Sequence, residues 1–223
     1  MATETRTPLS RDRILETALR LADEGGLESL SMRKLGHALG VEAMSLYNHV
    51  ANKDDVIDGI VDLVMAETDA PPATEDWEVA IRSSAVSIHD ALRRHPWAAS
   101  LLMLRARPGR LRYMDSLLRL LRDAGFSAET TYTSYHVLDG HIFGFSLWEN
   151  SHVYTAEQLA EMEELFKTTI TFEAYPHLRE HAEQHFAEGP HRDVSAFEFA
   201  LDLILDGMKR ELARQRDSLN STP

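Results

Sequence analysis

Residues 30–53 read LSMRKLGHALGVEAMSLYNHVANK, and this stretch decides the fold of the first part of the chain. Ser31 is a favourable N-cap, and apolar residues recur after it at helical spacing, so a short helix is expected over residues 32–39. Gly40 ends this helix, because glycine readily adopts the left-handed conformation found just beyond helix ends. A second helix of about seven residues begins at Ala43. The stretch therefore predicts a helix-turn-helix.

The second of these helices has a polar and aromatic face that a protein core does not require. Leu46 and Val50 occupy its inward positions. Four side chains remain on the outside: Ser45, Tyr47, Asn48 and His49. In a helix-turn-helix, the second helix lies in the major groove of DNA, where such side chains contact bases and phosphates. Ordinary surface residues would show the same polarity, but the surrounding motif favours DNA contact.

Helices on both sides complete the first unit. Ser10 can cap a helix over residues 11–24, and a glycine pair follows as its stop. Residues 53–68 form a fourth helix, with apolar side chains on one side. We therefore expect a DNA-binding domain with a connecting helix over residues 1–68.

A proline pair, Pro71-Pro72, marks the clear boundary in the front half of the chain. The domain expected after it, residues 69–223, carries helical patterns and no alternation typical of strands. Helices are predicted over residues 77–94, 97–104, 109–124, 128–150, 156–171 and 194–216. The expected fold class is all-α, with an N-terminal three-helix helix-turn-helix domain and a larger C-terminal helical domain for regulation and dimerisation.

The composition limits the possible functions. The chain has 223 residues and no cysteine, which excludes a disulfide framework, a thiolate metal site and a cysteine nucleophile. It has no amino-terminal signal pattern and no apolar run near the roughly 18 residues of a membrane helix. It also lacks a P-loop, a Gly-x-Ser-x-Gly elbow and a His-Glu-x-x-His motif. We expect a cytoplasmic protein that is not an enzyme and needs no cofactor.

The net charge of −13 opposes phosphate binding when it is taken as a sum. Its distribution is uneven, because residues 1–55 hold 7 Lys+Arg against 9 Asp+Glu, a balance of −2 that leaves −11 for the rest. The acidic residues therefore lie mostly outside the expected DNA-binding region. Affinity for DNA must come from a few placed cations such as Arg33, Lys34 and Lys53.

Residues 21–60 resemble the amino-terminal domain of the TetR family of bacterial repressors. The resemblance rests on LADEGGLESLSMRKLGHALGVEAMSLYNHVANKDDVIDGI, in which the glycine pair and the two short helices follow one another as in that family. The second half is similar to effector domains of the tetracycline-repressor type. This similarity rests on HPW at residues 95–97, GFS at residues 125–127 and FEFA at residues 197–200.

The resemblance implies a ligand-responsive transcriptional regulator, a repressor that binds a palindromic operator in double-stranded DNA as a homodimer and is released by a small-molecule effector. By position in the motif, the residues that would contact DNA are Arg33, Ala43, Met44, Ser45, Tyr47, His49 and Lys53, and the outward polar residues Lys34 and Asn48 are further DNA-binding candidates. Arg33 can reach a guanine edge or a phosphate, and Met44 can touch a thymine methyl. Ala43 stands where the tetracycline repressor reads a base with glutamine, so this operator should differ.

The effector site departs from the tetracycline repressor. That repressor binds a magnesium-drug chelate through a histidine before an Arg-Pro pair, whereas the place before Arg107-Pro108 is apolar, at or beside Met103. Neither tetracycline nor magnesium is therefore expected. A pocket for a small apolar or aromatic molecule is predicted, with these walls: Trp97, Leu101, Met103, Met114, Leu117, Tyr132, Tyr135, His136, Asp139, Phe143 and Phe172. The aromatic residues could equally be core residues, since cores use the same residue types.

Two of the predicted helices, over residues 128–150 and 194–216, are apolar on more than one side. One interpretation makes both of them central core helices of a monomer. The other, favoured by an operator with two half-sites, packs them against their own copies as a two-fold four-helix bundle. The expected dimer contacts are Val137, His141, Trp148, Phe197, Leu201, Ile204 and Met208.

A histidine-rich segment supports the rival hypothesis. His177, His181 and His185 recur every four residues and would share one face of a helix, where they could bind a metal. The alternative function is therefore a helical metal-binding protein or metalloenzyme. A solvated segment explains the same residues, and the metal hypothesis leaves residues 1–55 unexplained, so no metal site is predicted.

Overall fold

The order of the helices follows the sequence pattern. A computed structural model describes residues 8–72, 76–152, 155–169, 174–186 and 195–220, and within these ranges all regular structure is helical. The helices are α1 (Arg11–Ser29), α2 (Met32–Leu39), α3 (Ala43–Leu46), α4 (Lys53–Ala66), α5 (Trp77–Arg94), α6 (Ala98–Leu104), α7 (Pro108–Asp123), α8 (Ala128–Ser151), α9 (Ala156–Thr169), α10 (Pro176–Phe186) and α11 (Ala196–Asn220). The predicted all-α class is confirmed. None of the described helices combines the length and apolar character that a membrane span requires.

The glycine pair interrupts the first helix at the predicted stop, because the backbone at Gly26 is not helical and the chain kinks there before a further helical turn. α1 continues to Ser29, and Gly26 inside it has a φ of 70°. The Ser29 hydroxyl lies 3.2 Å from the Leu21 carbonyl oxygen and 2.9 Å from that of Gly26, and donates across the bend. The bend leaves Leu30 buried in the core of α1 to α4, directly before the N-cap of α2.

The angle between α2 and α3 is set by a close approach of two backbone segments. A Cβ atom at Gly36 would lie 2.9 Å from the Val41 carbonyl oxygen and 3.1 Å from the Ala43 amide nitrogen. The Val41 amide donates to the Gly36 carbonyl at 2.9 Å, and Gly40 closes α2 with a φ of 67°. Glycine at position 36 therefore leaves the room that this turn needs.

The second helix of the motif is shorter than the predicted seven residues. α3 covers the four residues Ala43–Leu46. The chain then tightens through hydrogen bonds between residues three apart. The Tyr47 amide donates to the Met44 carbonyl at 3.3 Å, and the His49 amide donates to the Leu46 carbonyl at 2.9 Å. Bonds of this spacing form 3₁₀-type turns, so the regular α-helix ends early and the outward residues continue on a turn.

α4 belongs to two hydrophobic cores. Val56 and Ile60 pack in the smaller core, which α1, α2 and α3 complete. Val61, Val64 and Met65 pack in the larger core, which is built mainly from α5, α6, α7, α8 and α11. A change in the larger core can therefore reach the helix-turn-helix through a single helix.

α8 has one buried side and one exposed side. Leu138, Ile142 and Phe143 are fully buried in the larger core, whereas Val137 and Trp148 are 46% and 53% exposed. A helix that is apolar on more than one side is expected to be covered on both sides, but the protomer covers only one side of α8. The outer side remains free for another molecule.

α10 (Pro176–Phe186) lies in the segment that we expected to be polar and solvated. Proline at its first position and an Arg179–Glu183 ion pair of 3.7 Å, one turn apart, favour a helix there despite the few apolar residues. Ala182 is its buried apolar residue, with 5% exposure. The other predicted helices agree with the structure within a few residues at each end, and residues 170–171 and 194 lie outside the described ranges.

The substitution Gly36→Ala tests the close approach of α2 and the segment before α3. The added methyl group meets backbone atoms, which cannot move aside as a flexible side chain can, so we expect a loss of about 1–3 kcal/mol in the free energy of unfolding. Ala38→Ser, at an exposed position of the same helix, should change it by less than about 0.5 kcal/mol. Equal urea midpoints for the two variants would disprove the steric account.

Candidate DNA interface and effector site

The predicted DNA-contacting residues lie on α2, on α3, on the turn after α3 and at the start of α4. Seven of the nine are exposed: Arg33, Lys34, Met44, Tyr47, Asn48, His49 and Lys53. Ala43 and Ser45 are half-buried. Met44 is 72% exposed and Tyr47 is 44% exposed, and large side chains exposed together in this way are typical of a binding surface.

The cations of this surface are free to meet phosphates. Within the described part of the chain, Arg33, Lys34 and Lys53 form no salt bridge, whereas Arg11 beside them is paired with Asp55. Lys53 is the first residue of α4, where the unpaired amide groups of a helix start favour an anion. This arrangement suits DNA, whose phosphates supply most of the affinity.

A buttress of two residues holds the turn that follows α3. The Arg11 guanidinium donates to both carboxylate oxygens of Asp55, at 2.9 and 2.6 Å, and also to the His49 carbonyl at 3.4 Å. Asp55 accepts a further bond from the Ala51 amide at 2.8 Å. The guanidinium, and after it this amide, lowers the pKa of Asp55 to about 2, so the carboxylate stays charged at neutral pH. Sequence analysis missed this pair, which holds the backbone at His49 and Ala51.

A second set of ion pairs joins α4 to the loop between α6 and α7. The Arg107 guanidinium donates to Asp58 at 3.0 Å and to Asp62 at 2.5 Å, and the Arg105 guanidinium donates to Asp58. We call this set the α4 clamp. The side chains of the Arg107 pairs are 28–35% exposed, so water screens them only in part. The spacing of Asp55, Asp58 and Asp62 in the sequence indicates one acidic face on the helix. The arginines that pair with this face could not be predicted from the sequence.

A third connection uses the HPW residues of the family resemblance. His95 is buried, and its ring nitrogens lie 2.8 Å from an Asp23 oxygen and 3.2 Å from a Glu67 oxygen. The Trp97 indole N–H donates to the same Asp23 oxygen at 2.8 Å. Trp97 therefore binds the turn before α6 to α1, in addition to packing against both cores, whereas sequence analysis placed it only in the effector pocket wall.

The predicted effector residues divide into buried and exposed groups. Leu117, Tyr135 and Phe143 are buried in the larger core, with Leu101 and Met114 packed against it. Met103, Tyr132 and His136 are exposed, and Met103 and Tyr132 keep 50% and 67% of their surface. Phe172 lies outside the described residues. The pocket assignment therefore stays a prediction, and its buried part is centred on α7 and α8.

Asp139 of the predicted pocket has a partner that sequence analysis missed. Arg110, buried in the first turn of α7, donates to the Asp139 carboxylate and, at 3.1 Å, to the Tyr135 hydroxyl. Its guanidinium also lies 4.7 Å from the Phe143 ring centre and 5.5 Å from that of Tyr113, which are cation–π distances. Burial raises the pKa of Tyr135 and that of Tyr113, so both hydroxyls stay neutral at physiological pH.

The predicted dimer residues divide into buried and exposed side chains, and their role in a dimer stays a prediction. Phe197 and Leu201 are 1% and 0% exposed in the isolated protomer, so their side chains belong to its own core and have no surface to offer a partner. Phe197 is stacked between the rings of His89 and His141, at 3.9 and 4.6 Å, and His141 donates to its carbonyl at 3.0 Å. Burial lowers the pKa of both histidines, which favours the neutral rings in this stack.

The exposed side of α8 and α11 carries three of the predicted dimer residues, Val137, Trp148 and Ile204, together with Phe199 and Leu203. Val137, Trp148, Phe199 and Leu203 are 46–58% exposed, and Ile204 is half-buried beside them. A groove of about 720 Å³ between the two helices is lined in part by Val137, Leu203, Ile204 and the edge of Met208. In the sequence, Phe199 and Leu203 lie on the second apolar side of the last helix. This second side is the feature that could have identified them as exposed apolar residues.

The histidine segment does not form a metal site in the described structure. His177 and His181 are exposed on α10, and the side chain of His185 lies outside the described residues. Among the described residues, no three histidine, aspartate or glutamate side chains converge as metal ligands.

Two family models match the chain, one described as bacterial regulatory proteins of the tetR family over residues 14–60, the other as a tetracyclin repressor-like C-terminal domain over residues 70–212. The chain belongs to the TetR family. It is a DNA-binding, ligand-responsive transcriptional regulator of a family that acts as dimers. Neither family model supports the rival metal-binding hypothesis.

Relatives of this TetR-family regulator match it over most of their length. The HTH-type transcriptional repressor DrrR1 of Streptomyces coeruleorubidus is 30% identical, and the match covers 93% of this chain and 80% of that repressor. The class A tetracycline repressor of Escherichia coli is also 30% identical, with 92% and 94% covered. ActR from Streptomyces coelicolor, solved in complex with actinorhodin, has 26% identity and a TM-score of 0.74, with 92% and 99% covered.

The double substitution Tyr47→Ala with Lys53→Ala tests the DNA interface. We expect operator affinity to fall by about 2–4 kcal/mol and the salt dependence to lose about one unit of slope, because two phosphate contacts disappear and one of them, from Lys53, is ionic. Fluorescence anisotropy on the DNA upstream of the gene measures both quantities. Tyr175→Ala with Lys167→Ala removes an exposed tyrosine and an exposed lysine elsewhere and should leave binding unchanged. Equal affinities for the two variants would refute the assignment.

Proposed function

We propose that this TetR-family regulator represses transcription from a near-palindromic operator and is released from it by a small aromatic effector. One observation carries the proposal. The DNA face presents cations without salt-bridge partners among the described residues, beside exposed large side chains, and α4 connects this face to the larger core, which holds buried polar groups. The protein would act in the cytoplasm, where operator DNA is found, and no catalytic role is proposed.

The side chains of the DNA face favour recognition with few contacts to base edges. Met44 and Tyr47 are the large side chains that it presents, and Ala43 offers only a methyl group. Hydroxyl and ammonium groups at Tyr47 and Lys53 suit phosphates, which fix register and carry no sequence information. The proposed specificity therefore comes from Arg33 and Met44, together with the spacing of two half-sites.

Dimerisation through the exposed side of α8 and α11 supplies the second half-site. Apolar side chains that are about half exposed, beside a groove of about 720 Å³, are typical of a surface that a partner covers. Gly140 and Gly144 of α8 have open space where a side chain would stand, so a partner helix can approach closely there. In this arrangement, two copies of the helix-turn-helix would face successive major grooves about 34–36 Å apart.

Effector release would run through the α4 clamp. α7 begins at Pro108, directly after Arg107, which holds Asp58 and Asp62 of α4. A ligand in the core between α7 and α8 that favours another position of this first turn would move α4 and change the spacing of the two DNA faces. A differential affinity of about 1–3 kcal/mol between the two arrangements is the typical size of such coupling.

The known complexes of relatives suggest the class of effector. ActR binds actinorhodin, an observation on that protein alone. The buried aromatic residues Tyr113, Tyr135 and Phe143 of this chain suit a flat ring system. The apolar position at Met103 gives no histidine for a magnesium-tetracycline chelate.

The substitution Val137→Glu tests the proposed dimeric repressor. A carboxylate placed in an apolar interface loses its hydration without gaining a partner, so we expect the dimer to dissociate to a folded monomer. In DNase footprinting of the upstream region, wild type should protect two half-sites whose centres are one helical turn, or a multiple of it, apart, and the variant should protect neither.

Leu111→Glu provides the matched control for this experiment. Leu111 is 49% exposed on α7, close to the 46% of Val137, but it does not line the groove between α8 and α11. Light scattering should report a dimer for this control and a monomer for Val137→Glu. A dimeric Val137→Glu protein with an intact footprint would contradict the proposed interface, and the absence of any wild-type footprint would contradict the proposed function.

A further inference from the structure

Arg110 has a buried guanidinium that the protein satisfies only in part. The residue is 7% exposed. Its Nη2 atom donates to Tyr135 and Asp139, but its Nη1 atom is fully buried and has no hydrogen-bond partner among the described residues. Buried donors in folded proteins are nearly always paired, and an unpaired one is costly because it has lost its water. The structure therefore holds a donor that lacks an acceptor.

The surroundings of Arg110 indicate which acceptor it lacks. Asp139 already balances the positive charge, so the missing group need not carry a charge. Phe143 and Tyr113 lie within cation–π distance of the guanidinium and help to fix the orientation of its plane. A planar donor held by aromatic side chains is matched by an oxygen on an sp² carbon, because that oxygen accepts in the plane of its own group.

We propose that Arg110 is the effector-recognition residue and that the effector is an aromatic molecule bearing a carbonyl or carboxylate oxygen, which accepts from Arg110 Nη1. The inference rests on the proposed function and adds the chemical class of the ligand. Aromatic neighbours select the ring system, whereas Arg110 selects the oxygen. A site built to donate a hydrogen bond rejects an analogue that lacks the acceptor more strongly than an apolar pocket rejects a change of size.

The position of Arg110 also explains how recognition could reach α4. Arg107 of the α4 clamp stands three residues earlier. Gly109, the preceding residue, lies so close to Met65 of α4 that a Cβ atom there would be 2.9 Å from the Met65 Cβ. The start of α7, with its N-cap Arg107, thus carries the Arg110 guanidinium, a close contact with the Met65 side chain and an ion pair to the α4 carboxylates. A shift of Arg110 toward a ligand oxygen displaces all three together.

Three probes with one ring frame test the assignment. They are fluorene, which has no oxygen, 9-fluorenone, which has a ketone, and fluorene-2-carboxylate. Titration calorimetry on the full-length protein should give at least tenfold tighter binding for one or both oxygen-bearing probes than for fluorene. The ketone and carboxylate arms distinguish the two sources of the acceptor oxygen. Equal affinities for all three probes, or no binding of any of them, would overturn the proposal.

Variants of Arg110 test whether this residue causes the preference for the oxygen-bearing probes over fluorene. Arg110→Met should reduce the preference for oxygen to less than about twofold while leaving fluorene binding within about threefold of wild type. Arg112→Met, at an exposed arginine two residues on, should keep the full preference. Circular dichroism shows whether Arg110→Met folds. If it does not, Arg110→Lys is the test variant, because it keeps the positive charge opposite Asp139. Its preference should fall at least threefold, and an unchanged preference in a folded Arg110 variant would overturn the assignment.

Operator binding separates this inference from the proposed function. Each protein is tested by anisotropy on the upstream DNA in the absence of probe. If wild type binds that DNA but does not prefer the oxygen-bearing probes, the effector class is wrong and the proposed function stands. If wild type does not bind the DNA, the proposed function fails whatever the probes do.

Discussion

The orientation of α4 depends on three aspartates that share one side of this helix. Asp55, Asp58 and Asp62 are three and four residues apart, so their carboxylates lie together and would repel one another if they were unpaired. Arginines approach from two directions and remove this repulsion, Arg11 from α1 and Arg107 from the start of α7. The acidic face of α4 therefore binds α1 of the DNA-binding domain through Asp55, and binds the start of α7 in the regulatory domain through Asp58 and Asp62.

The magnitudes assign different tasks to the apolar and the ionic contacts of α4. Partly exposed ion pairs contribute about 0–1 kcal/mol each, so they add little to the stability of the fold. Burial of Val56 and Ile60 in one core, and of Val61 and Val64 in the other, contributes about 1.5–3 kcal/mol for each side chain. Apolar contacts thus keep α4 attached, while the ion pairs set its orientation. A weak orienting contact suits a switch, because a ligand can reverse it with about 1–3 kcal/mol of coupling.

Local signals in the sequence predicted most of the fold, whereas distant pairings could not be predicted. The N-cap at Ser31 and the glycine spacing were enough to place the helix-turn-helix, because caps and turns act over three or four residues. Arg110 and Asp139 are 29 positions apart, and a lone arginine gives no periodic signal. The last helix has two apolar sides, and periodicity alone does not decide that Phe197 is in the core and Leu203 is exposed.

Orientation of the DNA faces by the α4 clamp is tested most directly by a distance between the two copies of α3. The chain has no cysteine, so Glu42→Cys, at an exposed position next to α3, gives one spin label in each protomer. Double electron–electron resonance should show a narrow distance distribution when the clamp is intact. With Arg105→Gln and Arg107→Gln added, the distribution should broaden while the melting temperature changes by only a few degrees. An equally narrow distribution at the same distance would contradict the account.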